Sequence, residues 1–323
     1  MLDLLTVGDI KLDTFIQLPD ASLACDLKMP DCKLCIAYGK KIPVANVVSQ
    51  IAGSAPNVAI GVAKMGMKTA VYSVMGEDAT AAHAHAFLKE HDVVTKYIDE
   101  EPGLRSSSAA VLNYKGESTQ LVDHLDTEYR LPSPFPAVKW LHVSELGSKY
   151  TRLYQDAIRA HQKGVLISFN PGSVQLKERK PILADLIAAT HLLFLNMNEA
   201  RTLLRIENGD GIHAIMAGLI SLGPKLVVVT DGIHGAYAFD GKQLDRVSAF
   251  PGKRVEATGA GDAFTSGFLG ATLLGKPHRE ALRHASVNAA SVVGFIGPTK
   301  GLLSHNEIEK RLRERPSFKS TEL

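Results

Sequence analysis

Val165-Leu166-Ile167-Ser168-Phe169, Leu192-Leu193-Phe194-Leu195 and Leu226-Val227-Val228-Val229 are three short apolar runs. Between them lie the longer segments Pro181–Ala189 and Ile212–Leu222. A strand with one wet face would alternate apolar and polar residues. Runs that are apolar almost throughout must be covered on both faces, as in a parallel sheet. The intervening segments carry helical spacing, and strand-helix alternation implies right-handed parallel crossovers. Working outward, Leu4–Val7, Ala70–Val74 and Trp140–Val143 repeat the strand pattern. Pro56–Met65, Ala79–Glu90, Leu153–Gln162 and Glu280–Val293 repeat the helical one. The expected fold class is α/β, a doubly wound, mostly parallel sheet flanked by helices, in one domain over residues 1–323.

Two segments break this rhythm. Residues 10–50 hold Ile10–Leu18, Lys33–Ala37 and Val44–Gln50 with little helical pattern, and residues 104–124 read as a hairpin turning at Lys115-Gly116. Forty residues are too many for a structureless connection. The two segments are expected to form a small β lid. The polar tail Arg311–Leu323 is expected to fray.

The 323 residues carry 36 Lys plus Arg against 34 Asp plus Glu, a net charge of +2. This near balance excludes a general nucleic-acid binder, which needs a basic excess. No stretch approaches the ~20 apolar residues of a membrane helix, so no membrane partner is expected. Met1-Leu2-Asp3-Leu4-Leu5-Thr6-Val7-Gly8-Asp9 has neither a basic leader nor a small-residue cleavage site. The three cysteines, Cys25, Cys32 and Cys35, are odd in number, which argues against disulfides and for a cytoplasmic location. Cys32-x-x-Cys35 is half a zinc site with Cys25 as a third candidate, but no fourth ligand is evident and packing in the lid is preferred. His83 and His85, two apart on a helix, cannot chelate together. A phosphate loop of the G-x-x-x-x-G-K-[ST] type and a G-x-S-x-G elbow are absent. Gly209-Asp210-Gly211-Ile212-His213-Ala214 fits the dinucleotide fingerprint only formally, because no strand immediately precedes it.

Val255-Glu256-Ala257-Thr258-Gly259-Ala260-Gly261-Asp262-Ala263-Phe264 is the most informative segment for chemistry. Gly259, Ala260 and Gly261 allow a tight turn into a helix whose unpaired N–H groups suit phosphate. Asp262 would repel that phosphate. It is then either a first-turn acid favouring the helix dipole, or a base that takes the proton from an attacking hydroxyl. Spacing alone leaves both open. Asn196-Met197-Asn198-Glu199 follows a strand, where open α/β sheets bind ligands. Asn196 and Glu199 could orient a hydrated magnesium ion, though Asn with Glu three residues on is also a capping box, the preferred reading on spacing alone. Thr230-Asp231-Gly232-Ile233-His234-Gly235 could approach a triphosphate or simply turn the chain. Asp13, leaving the first strand, and Gly53 with Asn57, opening the first helix, suit a polyol; solvation and helix capping are the plainer alternatives.

Taken together, Thr258–Phe264, Gly8-Asp9 with Asp13, Ala52-Gly53-Ser54-Ala55-Pro56-Asn57-Val58-Ala59, Gly76-Glu77-Asp78, Asn196–Glu199 and Thr230–Gly235 resemble, in order, the ribokinase-like (PfkB) carbohydrate kinases. The resemblance spans nearly the whole chain. It implies transfer of a phosphoryl group from ATP·Mg2+ to a hydroxyl of a small sugar, or of a nucleoside in some branches. It also implies roles. Asp262 would be the general base, and Gly259, Ala260 and Gly261 the anion hole. Asn196 and Glu199 would organise magnesium and phosphate, which displaces the plain cap as the preferred reading. Thr230, Asp231, Gly232 and Gly235 would lie along the nucleotide, with Asn288 near the adenine. Asp13, Gly53 and Asn57 would hold the acceptor under the lid, which in this family is often also a homodimer contact. Glu256 stands where an Asp is common near a monovalent-cation site, a departure that weighs against potassium activation. The Gly53–Asn57 run departs from the ribokinase version, so ribose is not favoured. The alternatives are a nucleoside kinase using Phe15 and Tyr38 as apolar cover, a catalytically silent sugar or nucleotide binder, and a nicotinamide-dependent reductase resting only on the rejected Gly209 match.

Overall fold

A computed structural model describes residues 1–19, 21–25, 32–206 and 210–323. The side chains of Cys25 and Cys32, and Gly209 of the rejected fingerprint, lie outside the described residues. Strand β1 (Leu2–Val7) starts the main sheet. The chain then leaves it to form β2 (Lys11–Gln17), the hairpin β3 (Ser22–Cys25) and β4 (Cys32–Cys35), and β5 (Asn46–Ala52). It returns through α1 (Ser54–Lys64), β6 (Thr69–Gly76), α2 (Ala79–Glu90) and β7 (Val94–Glu101). A second excursion makes β8 (Ser107–Tyr114) and β9 (Glu117–Asp123). The sheet then resumes with β10 (Val138–Val143), α3 (Thr151–Gln162), β11 (Leu166–Phe169), α4 (Ser173–Glu178) and α5 (Pro181–Ala188). Next come β12 (Leu192–Asn196), α6 (Met197–Leu204), α7 (Ile212–Ile220) and β13 (Leu226–Thr230). β14 (Ala236–Phe239), β15 (Leu244–Val247), α8 (Ala260–Leu273), α9 (His278–Val292), α10 (His305–Glu314) and β16 (Thr321–Glu322) complete the described chain.

The main sheet has ten strands in the order β16-β15-β14-β13-β12-β11-β10-β1-β6-β7. From β7 to β13 every pairing is parallel, and β14 to β16 add an antiparallel edge. The apolar runs follow from two-sided burial. In β12, Leu193 and Leu195 join a core that includes Leu153, Leu186 and Leu219, while Leu192 and Phe194 join the opposite core with Phe268 and Ala285. Full burial of such a side chain contributes about 1.5–3 kcal/mol. The strand order reverses beside β1, and such a switch point opens a crevice at the carboxyl ends of the strands.

A separate four-stranded sheet, order β5-β2-β8-β9, draws its strands from both irregular segments because β2 and β8 pair in parallel. Along β2 burial alternates. Lys11, Asp13 and Phe15 point inward, with Gln50 opposite Asp13 and Val111 opposite Phe15. Two differences from the sequence expectations have simple causes. Val94–Glu101 forms β7 despite its acidic end because it is an edge strand with one side open. The tail does not fray throughout: β16 pairs with β15, and buried Phe318 packs edge-on against Phe250.

Candidate active site

Gly259 turns the chain into α8 at φ 79°, and a Cβ there would stand 2.3 Å from the Pro298 Cβ. Glycine is therefore required twice over, by dihedral angle and by space. The N–H groups of Gly261 and Asp262, in the first turn of α8, have no carbonyl within the helix to bond. Ala260 corrects the expectation of a three-residue anion hole: its N–H already donates to Ala257 O at 3.1 Å.

The Asp262 side chain lines a cavity of about 200 Å³ together with Ser54, Asn170, Asn196, Glu199, Thr230 and Gly261. Its Oδ2 accepts a 2.7 Å hydrogen bond from Asn57 Nδ2 on α1. Burial raises the Asp262 carboxyl above its ordinary range, and the hydrogen bonds from Asn57 and Ser54 oppose that rise. Asn57 thus holds the carboxylate directly, a contact that the acceptor-binding expectation did not include. Gly53, at φ 122°, lets the turn before α1 pass the Asp9 carbonyl, which a Cβ would approach to 2.2 Å.

On the lid side, Asp13 is buried and its Oδ1 has no partner among the described residues. Burial pushes its carboxyl up to about 6, against the pull of the Lys11 ammonium. Lys11 Nζ donates to Glu145 Oε2 at 3.0 Å. Gln50 Nε2 and Asn57 Oδ1 are likewise buried without partners among the described residues. Buried polar atoms are ordinarily hydrogen-bonded, so this group is suited to a polar ligand.

On the opposite side a mostly apolar cavity of about 350 Å³ is lined by Thr230, Gly232, Gly235, Phe250, Phe264 and Ala289, among others. A polar cleft of about 580 Å³ shares Thr230 and Gly232 and adds Lys177, Asn196, Glu199 and Asp231. The capping box is real: Asn196 Oδ1 accepts from Glu199 N–H, and Glu199 Oε2 accepts from Asn196 N–H, each at 2.9 Å. The same two residues face the cleft, so cap and site coincide. Desolvation pushes the Glu199 carboxyl up to about 7, opposed by hydrogen bonds from Asn196 N–H and the Asn170 side chain. A divalent cation beside it would favour the ionised form, and the neighbouring oxygens are hard donors that fit hydrated magnesium.

Asn288 is a correction. It is fully buried between α8 and α9, donating to Ala263 O and Ser266 Oγ and accepting from Leu303 N–H, and it does not line the apolar cavity. Tyr38 is wholly exposed, whereas Phe15 is buried. Sequence reading missed Lys11, Gln50, Ser54, Glu145, Asn170 and Lys177. Glu145 and Asn170 carried a usable signal, since each follows the carboxyl end of a parallel strand. Lys177 carries no such signal, because the charged run Lys177-Glu178-Arg179-Lys180 reads most simply as a solvated helix end.

The pfkB family carbohydrate kinase model matches residues 21–304. The chain is 24% identical over 311 residues to the cytidine kinase of Thermococcus kodakarensis, covering 91% of this chain and 96% of that protein. It is 28% identical over 276 residues to the fructokinase of Salmonella typhimurium, covering 79% and 88%. Arabidopsis thaliana ribokinase, solved with ribose and ATP, superposes with a TM-score of 0.79 at 22% identity, covering 97% of this chain and 99% of that one. The match over most of the chain makes it a member of the pfkB family of carbohydrate kinases, and an ATP-dependent carbohydrate kinase.

Proposed function

We propose that the enzyme phosphorylates a hydroxyl of a small, uncharged sugar, with Asp262 as general base. One observation carries this reading. The Asp262 carboxylate, fixed by Asn57, stands in a cavity that reaches Gly261 on one side and Glu199 and Thr230 on the other. Acceptor hydroxyls bind between the inner lid face and α1, donating to Asp13 and Asn57 Oδ1 and accepting from Gln50. Asp262 takes the proton as the oxygen attacks phosphorus, and the Gly261 and Asp262 N–H groups stabilise the migrating phosphoryl. The adenine fits the apolar cavity and the phosphates the polar cleft. Asn196 and Glu199 would hold magnesium through water, which neutralises phosphate charge when bound. The β lid excludes water that would otherwise accept the phosphoryl group.

The neutral charge of the acceptor follows from electrostatics. Asp13, Glu145 and Asp262 act on one another, and Lys11, the cation among them, is already paired with Glu145. A sugar phosphate or sugar acid meets repulsion there. Phe15 beside Val111 supports a second reading, since apolar inner-face surface would also cover a nucleoside base. A turnover panel of sugars, sugar phosphates and nucleosides tests both. A neutral sugar should give the highest kcat/KM, and chelating magnesium should abolish turnover. Preference for a nucleoside selects the second reading, and preference for a phosphorylated acceptor overturns both.

The enzyme is proposed to work in the cytoplasm as a homodimer joined through the lid. Support comes from the outer lid face, where Val47 is 53% and Leu121 60% exposed.

A further inference from the structure

Behind the catalytic cleft, where α9 meets α10, His284, His305 and Glu309 bring one ligating atom each within 4.8 Å of one another. His284 is 0% exposed, yet neither of its ring nitrogens has a hydrogen-bond partner among the described residues. His305 Nδ1 is also buried and unpartnered. A neutral imidazole carries one donor and one acceptor, and buried polar atoms of this kind are normally satisfied. His284 Nε2 lies 3.3 Å from Glu309 Oε1 without making a hydrogen bond. That separation is what a tetrahedral zinc ion imposes on its ligands, about 3.3–3.4 Å for bonds of ~2.0–2.1 Å. His305 Nε2 stands 3.9 Å from the same oxygen, so a small rotamer change closes the set. His305 and Glu309, four apart, share one face of α10, and His284 faces them from α9.

We propose that His284, His305 and Glu309 form a binding site for a divalent transition-metal ion of the zinc type, pinning α10 to α9. Two imidazoles and one carboxylate suit such an ion. His305 and Glu309 are 30% and 24% exposed, so water can enter and complete the coordination. Glu309 Oε1 is held at 2.8 Å by the Lys276 ammonium, which the incoming ion must displace. The site is separate from the proposed magnesium position, whose donors are oxygens on other elements. It also backs the catalytic helix, because Asn288 of the same α9 binds Ala263 O of α8.

The experiment uses the full chain, stripped with chelator and titrated with Co2+ as a spectroscopic probe, alongside melting curves with Zn2+. Wild type should bind one Co2+ with the strong visible absorption of tetrahedral coordination. Zn2+ should displace it and raise Tm by several degrees. His305→Ala and Glu309→Gln should each abolish both signals while keeping kinase turnover. Glu199→Gln, altering the catalytic cleft, should keep both signals. Lys276→Met, which removes the competing ammonium, should tighten binding at least several-fold. An octahedral spectrum only, no Zn2+ effect on wild-type Tm, or binding unchanged in His305→Ala would overturn the proposal, the last result assigning the ion to other ligands.

Discussion

Desolvation raises the carboxyl of Asp262, and the amide of Asn57 pulls it back. That balance suits a group that must be ionised to take a proton yet basic enough to keep it. Asp262→Asn should lower kcat by ~10²–10⁴-fold, the usual range for a general base, with Tm nearly unchanged. Steady-state kinetics and a melting curve check this, and wild-type turnover would remove the assignment. Asp13 and Glu199, raised to about 6 and about 7, define a pH window. Both must be charged to work, and the magnesium proposed beside Glu199 would keep it ionised, so at saturating magnesium kcat/KM should climb mainly through Asp13, between about pH 5 and 7. Stability runs the other way. The folded state holds these protons to higher pH than the unfolded one, so each of the two withdraws stability as pH rises from about 4.5 to 7, against the opposite contribution of buried His142 and His284, lowered to about 3 and about 4. Glu199→Gln should remove its share, so the ligand-free Tm of the variant relative to wild type should rise as pH goes from about 4.5 to 7; a difference that stays constant with pH would contradict it. At this scale Gly259, Gly261 and Asp262 were legible because a tight turn into a helix is encoded locally. The partnership of Asn57 with Asp262 spans 205 positions, and no spacing rule reaches that far.

A helix start is only as good as the turn that feeds it. Gly259→Ala would place a methyl group against Pro298 and force a left-handed dihedral on alanine. The variant should lose at least about 1–3 kcal/mol from the backbone strain alone, and kcat should drop as the α8 amides shift. Calorimetry and kinetics on one preparation separate the two effects, and an unchanged kcat would detach the turn from catalysis. Central strands were legible because burial on both faces leaves an apolar run, as in Leu192–Leu195. The edge strand β7 was not, since an open side tolerates Asp99, Glu100 and Glu101. The irregular segments announced themselves by lacking helical period. Their union through β2 and β8 is a long-range parallel pairing that no local pattern encodes.

Across the whole molecule, alternation of strand and helix was enough for the architecture, and the carboxyl ends of β11, β12 and β13 border the cavity that Asp262 lines. Depth within the fold was not legible. Asn288 looked like a nucleotide contact in sequence order but is a buried tie between helices. The proposed dimer makes a prediction at this scale: Leu121→Glu should shift the light-scattering mass from dimer to monomer, and an unaltered mass would move the interface elsewhere. The two excursions from the sheet also meet the nucleotide side. At the tip of the β8–β9 hairpin, Ser118 Oγ lies 2.9 Å from Thr258 Oγ1, and Arg254 reaches Glu117 at 2.5 Å. Whatever draws that tip inward therefore tugs on the peptide just upstream of α8. Each ligand should slow the other's departure, and an enzyme lacking its sugar should idle rather than leak high-energy phosphate into the surrounding water.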